Sequence, residues 1–215
     1  MKILEVRSLA VPEIKVIRFA RFRDHRGYFT ELFRKSDYHG HPQLRFMKNV
    51  EFCQCNESHS KPGTVRGFHF QWNPHMGKMV RTVAGHMVDL ILDIRKGSPS
   101  LGRILAYDMP GRPEIEFCEW IWVPPGFAHG NFFLETTIIE YFCSGEYSPD
   151  CEAGISPLAT DLDWSLCEPA LKNRFDATVS GTALISEKDR TGYSLQSWLA
   201  HPDAEQFLYE KLRQG

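Results

Sequence analysis

The sequence predicts a mainly β fold, an antiparallel β-sandwich or jelly-roll barrel with a helix at its C-terminal end, and three observations predict it. Short runs rich in Val, Ile, Phe, Tyr and Trp recur along most of the chain, and these are residue types that suit a pleated, half-buried surface. Turn formers separate the runs: Lys61-Pro62-Gly63, Lys96-Gly97-Ser98-Pro99, Met109-Pro110-Gly111 and Pro124-Pro125-Gly126. Proline presets one backbone angle in such turns and glycine accepts the other. Near the end the spacing changes, and Leu195–Leu199 and Asp203–Leu212 repeat at helical intervals with Phe207, Leu208 and Leu212 on one side.

In chain order the strand runs are Ile14–Phe19, Tyr28–Phe33, Val65–Phe70, Met79–Val83, Met87–Asp93, Arg103–Tyr107, Glu119–Val123 and Thr137–Cys143. Many short strands joined by tight turns favour an antiparallel arrangement. In Met87–Asp93, Val88, Leu90 and Leu92 alternate with Asp89, Ile91 and Asp93, which suits one face in a core and another reaching a pocket. Asp93 and Arg95 are placed to pair, with a turn at Ser98-Pro99. The terminal helix is expected to pack against the barrel or a partner subunit. A chain of 215 residues with 42% hydrophobic and 24% charged content fits one domain over residues 1–215, of which 195–215 form a helical extension.

Composition excludes several classes. A net charge of -2 offers neither a nucleic-acid surface nor a polybasic membrane patch. The most apolar stretch, Met87 to Ile94, is interrupted by Asp89 and Asp93 and is too short to span a bilayer. Met1 to Val6 carries Lys2 and Glu5 and lacks a secretory h-region, so the reducing cytoplasm is the expected location. The six cysteines form no CxxC pair and no zinc-ribbon spacing, and they read as small buried hydrophobes.

The chemistry concentrates in two stretches. In Gly63-Thr64-Val65-Arg66-Gly67-Phe68-His69-Phe70-Gln71, strict alternation puts Arg66 and His69 on opposite faces. A bulge at Gly67 would bring them to one side. Taken alone, His69 reads as a core histidine and Arg66 as a surface arginine. In Trp122-Val123-Pro124-Pro125-Gly126-Phe127-Ala128-His129-Gly130, a histidine after a Pro-Gly turn resembles the second motif of the cupin barrel. The first cupin motif has His-x-His, but here Gln71 holds the second position. With only His69 and His129 left where a transition metal wants three or more ligands, the reading is a cupin-like barrel without metal or other cofactor, in which the retained histidine does acid–base work.

Eight segments in order then resemble the dTDP-4-dehydrorhamnose 3,5-epimerase family over nearly the whole chain. They are Phe22-x-Asp24-x-Arg26-Gly27-x-Phe29-x-Glu31, Gln54-x-Asn56-x-Ser58-x-Ser60, Arg66-Gly67-Phe68-His69-Phe70-Gln71, Lys78-Met79-Val80-Arg81, Asp93-x-Arg95-x-Gly97-Ser98-Pro99, Pro125-Gly126-Phe127-Ala128-His129-Gly130, Tyr141-x-Cys143-x-x-x-Tyr147 and Ser186-x-Lys188-Asp189. The resemblance implies a nucleotide-diphosphate sugar substrate with a ketone at C4. Hydrogens on the neighbouring carbons C3 and C5 become acidic if the enolate is stabilised, so such an enzyme needs a base on one face, an acid on the other and a cation or donor at the enolate oxygen.

By the resemblance, His69 is the base, Asp189 orients it through the other ring nitrogen, and Tyr141 returns a proton from the opposite face, with Tyr147 as the alternative acid. Lys78 lies beside the C4 oxygen and Arg66 helps to hold the substrate. Arg26, Glu31, Gln54 and Asn56 grip the base and diphosphate, and arginine suits the latter because its planar fork pairs with phosphate oxygens. The resemblance also implies a homodimer in which the first strands cross over, so that Arg26, Phe29 and Glu31 serve the neighbouring pocket. His129 lies near the pocket without a catalytic step. Several places depart from the family pattern: Met76-Gly77 replaces the usual Gln, Asn131 stands where an aromatic is usual, Ser156-Pro157-Leu158 replaces a Trp and Asp-Pro signature, and Trp164 to Ser186 is longer than usual. These leave open which sugar nucleotide is bound and whether one or both carbons are inverted. An oxygenase-type metal cupin and a non-catalytic sugar-binding cupin are the readings from other classes.

Overall fold

The computed structural model describes residues 1–212. The last three residues of the expected C-terminal extension, 213–215, lie outside the described residues. The strands in chain order are β1 (Ile3–Ser8), β2 (Lys15–Ala20), β3 (Phe22–Asp24), β4 (Gly27–Phe29), β5 (Gln54–Ser60), β6 (Val65–Gln71), β7 (Lys78–Asp93), β8 (Ile104–Gly111), β9 (Phe117–Val123), β10 (Phe127–Phe133), β11 (Thr137–Cys143) and β12 (Glu152–Ile155). The helices are α1 (Lys35–Gly40), α2 (Pro169–Ser180), α3 (Glu187–Arg190), α4 (Leu195–Leu199) and α5 (Tyr209–Leu212).

Strand β7 joins the two halves of an antiparallel sandwich. Its first part pairs with β9 and β11, its second part with β8 and β10. One sheet therefore runs β1-β2-β9-β7-β11-β5 and the other β8-β7-β10-β6-β12. The two expected runs Met79–Val83 and Met87–Asp93 are this single strand, which passes from sheet to sheet at Gly85. Gly85 has φ +96°, and a Cβ there would lie 2.4 Å from the Thr136 carbonyl oxygen, so only glycine fits the corner.

Both sheets are buried on both faces. Val80, Met87, Ile91, Ile121, Phe133 and Ile139 fill the space between them. The outer face of the first sheet, with Trp120 and Trp122, is covered by Tyr38, Leu44 and Met47 from the segment before β5. The outer face of the second, with Val88, Leu90 and Leu92, is covered by Leu171, Phe175, Trp198 and Phe207 from the C-terminal segment. The alternation in Met87–Asp93 thus separates an outer core from an inner one, with Asp89 on the inner side. Trp198 is fully buried, with ring centroids 4.6 Å from Phe70 and 5.8 Å from Phe207. Truncating a core aromatic of this kind costs about 3–5 kcal/mol, so this layer is part of the folded unit.

Four local expectations need correction. The run Tyr28–Phe33 is a strand only to Phe29, within the hairpin β3–β4 that pairs with nothing else among the described residues. Asp203–Leu212 is not one helix: Phe207 sinks into the core, its carbonyl accepts the Lys96 N–H at 2.8 Å, and Leu208 bridges to Lys96 before α5 begins. Cys53 and Cys55 are exposed rather than buried, because they point outward from the edge strand or its start while Gln54 points inward. Helix α2, within the long Trp164–Ser186 segment, was not anticipated; it buries only Leu171 and Phe175, too few for a clear helical period. It packs on the outer core and lines no part of the cavity described next. The Asp93–Arg95 pairing is present and buried, with Arg95 Nε 2.9 Å from Asp93 Oδ1 and the Ser98 and Ser100 hydroxyls on Oδ2.

Candidate active site

Register decides which polar side chains meet. Directly opposed residues of antiparallel strands share a face. Tyr141 on β11 stands opposite Asn56 on β5 and Val80 on β7, and Cys143 stands opposite Gln54 and Lys78. Val80 belongs to the inner core, so all of these point between the sheets. They line one end of the sandwich, where a cavity of about 180 Å³ is bounded by Gln54, Asn56, His69, Lys78, Tyr141 and Tyr147, together with Phe70, Gln71, Met76, Cys143 and Glu152.

His69 enters from the facing sheet through a bulge. His69 opposes His129 on β10, and Arg66 opposes Asn131, so three steps on β6 match two on β10. Val65 and Phe68 consequently enter the same outer core, and Arg66 and His69 share the other side, as a bulge at Gly67 requires. His69 Nε2 lies 2.6 Å from Asp189 Oδ1. Asp189 belongs to α3, whose N-cap Ser186 accepts the Asp189 N–H at 3.1 Å. A Cβ at Gly67 would stand 3.1 Å from the Asp189 carboxyl carbon, so the missing side chain lets the carboxylate approach the strand. Burial alone would raise the Asp189 carboxyl; hydrogen bonds from His69, the Gly67 N–H and Ser186 outweigh it and hold the group below its ordinary value. A wider hollow of about 770 Å³ opens on the other side of this pair, lined among others by Glu152, Lys188 and Tyr193. His69 therefore stands in the wall between the two spaces.

The remaining groups differ in how they are engaged. The Lys78 ammonium has no hydrogen-bond or ion-pair partner among the described residues, and burial pushes it down against the opposing influence of Cys143, Asp89 and Glu152. Burial pushes the Tyr141 hydroxyl up, despite a hydrogen bond with Asn56 and the nearby Arg66 charge, so at neutral pH it carries its proton. Tyr147 rides on a loop pinned by two glutamines. Gln54 accepts the Tyr147 N–H at 2.9 Å, while Gln71 accepts the Ser148 N–H at 2.9 Å and donates to the Pro74 and Glu146 carbonyls. The Gln54 amide also donates to Asn56 Oδ1 at 3.0 Å. The Tyr147 hydroxyl donates to Glu152 at 2.8 Å, and Lys188 pairs with the same carboxylate.

The structure thus gathers His69, Lys78, Tyr141, Gln54, Asn56 and Tyr147 around one cavity, with Asp189 behind His69. Arg66 lies beside them but does not line the cavity; its guanidinium reaches Ser60 Oγ at 3.1 Å. His129 stands next to His69 and bonds inward to Asp89. Arg26, Phe29 and Glu31 are elsewhere. Arg26 is exposed and paired with Asp24, Phe29 is 66% exposed, and Glu31 is bonded to Arg34 and the terminal amine. Sequence reasoning missed Glu152, Cys143 and Met76 as lining residues, took Gln71 only as the mark of a lost metal motif, and gave Asp89 no partner. Asp89 carried the one legible signal, a charge alternating with apolar residues inside a buried strand.

The chain matches the family model described as dTDP-4-dehydrorhamnose 3,5-epimerase over residues 8–197. It is 36% identical over 191 residues to the dTDP-4-dehydrorhamnose 3,5-epimerase of Sinorhizobium fredii, covering 87% of this chain and 88% of that protein. Among solved structures it is similar to the dTDP-6-deoxy-D-glucose-3,5-epimerase of Legionella pneumophila in complex with dTDP-4-keto-L-rhamnose, at TM-score 0.77 and 29% identity over 95% of this chain and 97% of that one. It is likewise similar to the dTDP-4-dehydrorhamnose 3,5-epimerase of Sulfolobus tokodaii, at TM-score 0.71 and 32% identity over 91% and 97% of the two chains. With the family model covering most of its length and the sandwich shared, the chain belongs to the dTDP-4-dehydrorhamnose 3,5-epimerase family of isomerases.

Proposed function

We propose that this chain inverts C3 and C5 of a 4-keto-6-deoxy nucleotide sugar, in the manner of dTDP-4-dehydro-6-deoxyglucose conversion to dTDP-4-dehydrorhamnose. One observation carries the reading: His69 with its carboxylate and Tyr141 with its proton face the same small cavity from opposite sheets, and an unpaired Lys78 lies on the Tyr141 side. His69 takes the proton from C3 or C5, and the electrons of that C–H bond pass into the enolate. Lys78 stabilises the charge at the C4 oxygen. Tyr141 then gives its proton to the opposite face as the ketone re-forms, and imidazolium and phenolate regain their starting states by exchange with solvent. Asp189 fixes the ring and stabilises the imidazolium. Gln54 and Asn56, which line the same cavity, are assigned to the nucleotide end.

The test is incubation with dTDP-4-keto-6-deoxyglucose in heavy water. Deuterium at both C3 and C5, with inverted configuration, is the expected NMR result; label at one carbon only marks a single-carbon epimerase, and none at either overturns the reading.

The working unit in this reading is a homodimer in which Arg26, Phe29 and Glu31 complete the neighbour's cavity. The hairpin β3–β4 pairs only with itself among the described residues, exposes Phe22, Tyr28 and Phe29, and lines no part of its own cavity. Such an aromatic arm suits burial against a second copy. Light scattering at micromolar concentration should give a dimer mass, and a fully active monomer would contradict it. No described helix is long and apolar enough to cross a membrane, and all six cysteines are free thiols, in keeping with work in the reducing cytoplasm.

A further inference from the structure

Hydrogen-bond direction on one wall of the cavity follows from a single backbone group. A peptide N–H can only donate, so the Tyr147 N–H, 2.9 Å from the Gln54 side chain, fixes the Gln54 oxygen at that place. The Gln54 amine is then turned the other way, where it meets Asn56 at 3.0 Å. Asn56 answers with its oxygen, which leaves its own amine on the far side. One hydrogen of that amine goes to Cys143 Sγ at 3.7 Å. The polarity of two amides is thus set by a donor that cannot reverse.

The other amine hydrogen of Asn56 is left for Tyr141. The two residues stand directly opposite in the β5–β11 ladder, on the inner face, and both line the cavity. Burial pushes the Tyr141 hydroxyl up, and a hydrogen bond with Asn56 opposes it, the sign expected when the amide donates to the phenol oxygen. A hydroxyl that accepts there keeps its own hydrogen for another partner. Tyr147 is the contrast. Its hydrogen is already given to Glu152 at 2.8 Å, a carboxylate that Lys188 also holds. Of the two tyrosines on the cavity, Tyr141 is the one whose hydrogen no acceptor among the described residues has taken.

We infer that Asn56 is a positioning residue for the proposed acid: the Tyr147 N–H, Gln54 and Asn56 form a directed chain that points an amide N–H at the Tyr141 oxygen and reserves the phenol hydrogen for the substrate. The inference rests on the proposed reaction, and it adds a task to two residues otherwise assigned to the nucleotide end. When the phenol gives its proton to the sugar carbon, the O–H bond breaks and its electrons stay on the oxygen. The Asn56 N–H is already in place for that phenolate, so no group has to turn at that moment.

The test compares two variants. Asn56→Leu removes the donor at similar volume; Asn56→Asp keeps an acceptor for Gln54 and replaces the amine with a second oxygen, to which the phenol would give its hydrogen. With the sugar in heavy water, both should exchange C3 and C5 hydrogens faster than they invert, unlike the unaltered protein. The rate of inversion should fall roughly ten- to hundredfold, and further in Asn56→Asp than in Asn56→Leu. A second readout needs no substrate: fluorotyrosine at position 141, followed by its 19F shift against pH, should titrate at higher pH in both variants. The other titratable groups around it, His69 and Arg66 on β6, Lys78 on β7, Cys143 on β11, Tyr147 and Glu152, are the same in each protein. A raised KM with both the exchange-to-inversion ratio and the titration at position 141 unchanged would make Asn56 a nucleotide contact only and overturn the inference. Failure of the sugar reading would show separately, as absent deuterium uptake by the unaltered protein.

Discussion

The two histidine–carboxylate pairs lie side by side in one ladder, with the same 2.6 Å separation, yet they are built differently. The His69 side chain is 36% exposed and faces the cavity, and its Asp189 comes from a helix of the C-terminal segment, with the Gly67 N–H and Ser186 adding to the carboxylate's partners. The His129 side chain is 8% exposed and Asp89 is wholly enclosed in the middle of the longest strand, with one oxygen unanswered. A short contact is therefore not what makes a base. Access of the imidazole to the reacting carbon does, together with a fully satisfied carboxylate that lets the ring gain and lose a proton. The enclosed pair has no such access, because neither His129 nor Asp89 lines the cavity.

Substitutions that treat the pairs alike should separate them, and the largest effect belongs to the proposed base. His69→Ala should lower turnover roughly a hundred- to ten-thousand-fold, with loss of solvent exchange at C3 and C5 measured by NMR. Asp189→Asn comes next. Losing one charge-assisted hydrogen bond of about 1.5–3 kcal/mol corresponds to roughly a ten- to hundredfold fall in kcat. Because the folded Asp189 carboxyl is held below its ordinary value, its contribution to stability is complete above the usual carboxylate range and is lost as pH falls through the folded value. The variant should show a correspondingly weaker acid dependence of its unfolding midpoint. His129→Asn should have the smallest effect, a fall of about tenfold or less, with exchange and inversion declining together. If His129→Asn were as damaging as His69→Ala and abolished exchange, the comparison would fail and the enclosed pair would have to reach the substrate.

Much of this was legible because it is local. Thr137–Cys143 is a strand over the expected span, and the Gly67 bulge follows from where Arg66 and His69 have to point. The motif pieces that resemble a known family contain the cavity residues His69, Lys78, Tyr141, Gln54, Asn56 and Tyr147. What stayed hidden is non-local. Asp89 and His129 are 40 positions apart, and only strand register joins them. Glu152 sits in a short edge strand with no pattern of its own. The covering layer from the segment before β5 was invisible because a strand buried on both faces, such as the one with Trp120, Ile121 and Trp122, offers no polar face to show what lies beyond it. The hairpin with Arg26 and Phe29 is the opposite case: its residues matched a motif, but among the described residues it pairs only with itself, so nothing in its own pattern says what it meets.

The most direct test of the central claim, proton removal by His69 on one face and return by Tyr141 on the other, is the ratio of solvent exchange to inversion in Tyr141→Phe. The phenylalanine keeps the ring and removes only the proton donor. His69 can still abstract the proton, and the enolate can still form beside Lys78, but reprotonation returns mainly from the His69 face. The variant is expected to exchange deuterium into C3 and C5 of the starting sugar while inverting little. Inversion at the rate of the unaltered protein would contradict the account and pass the role of acid to Tyr147.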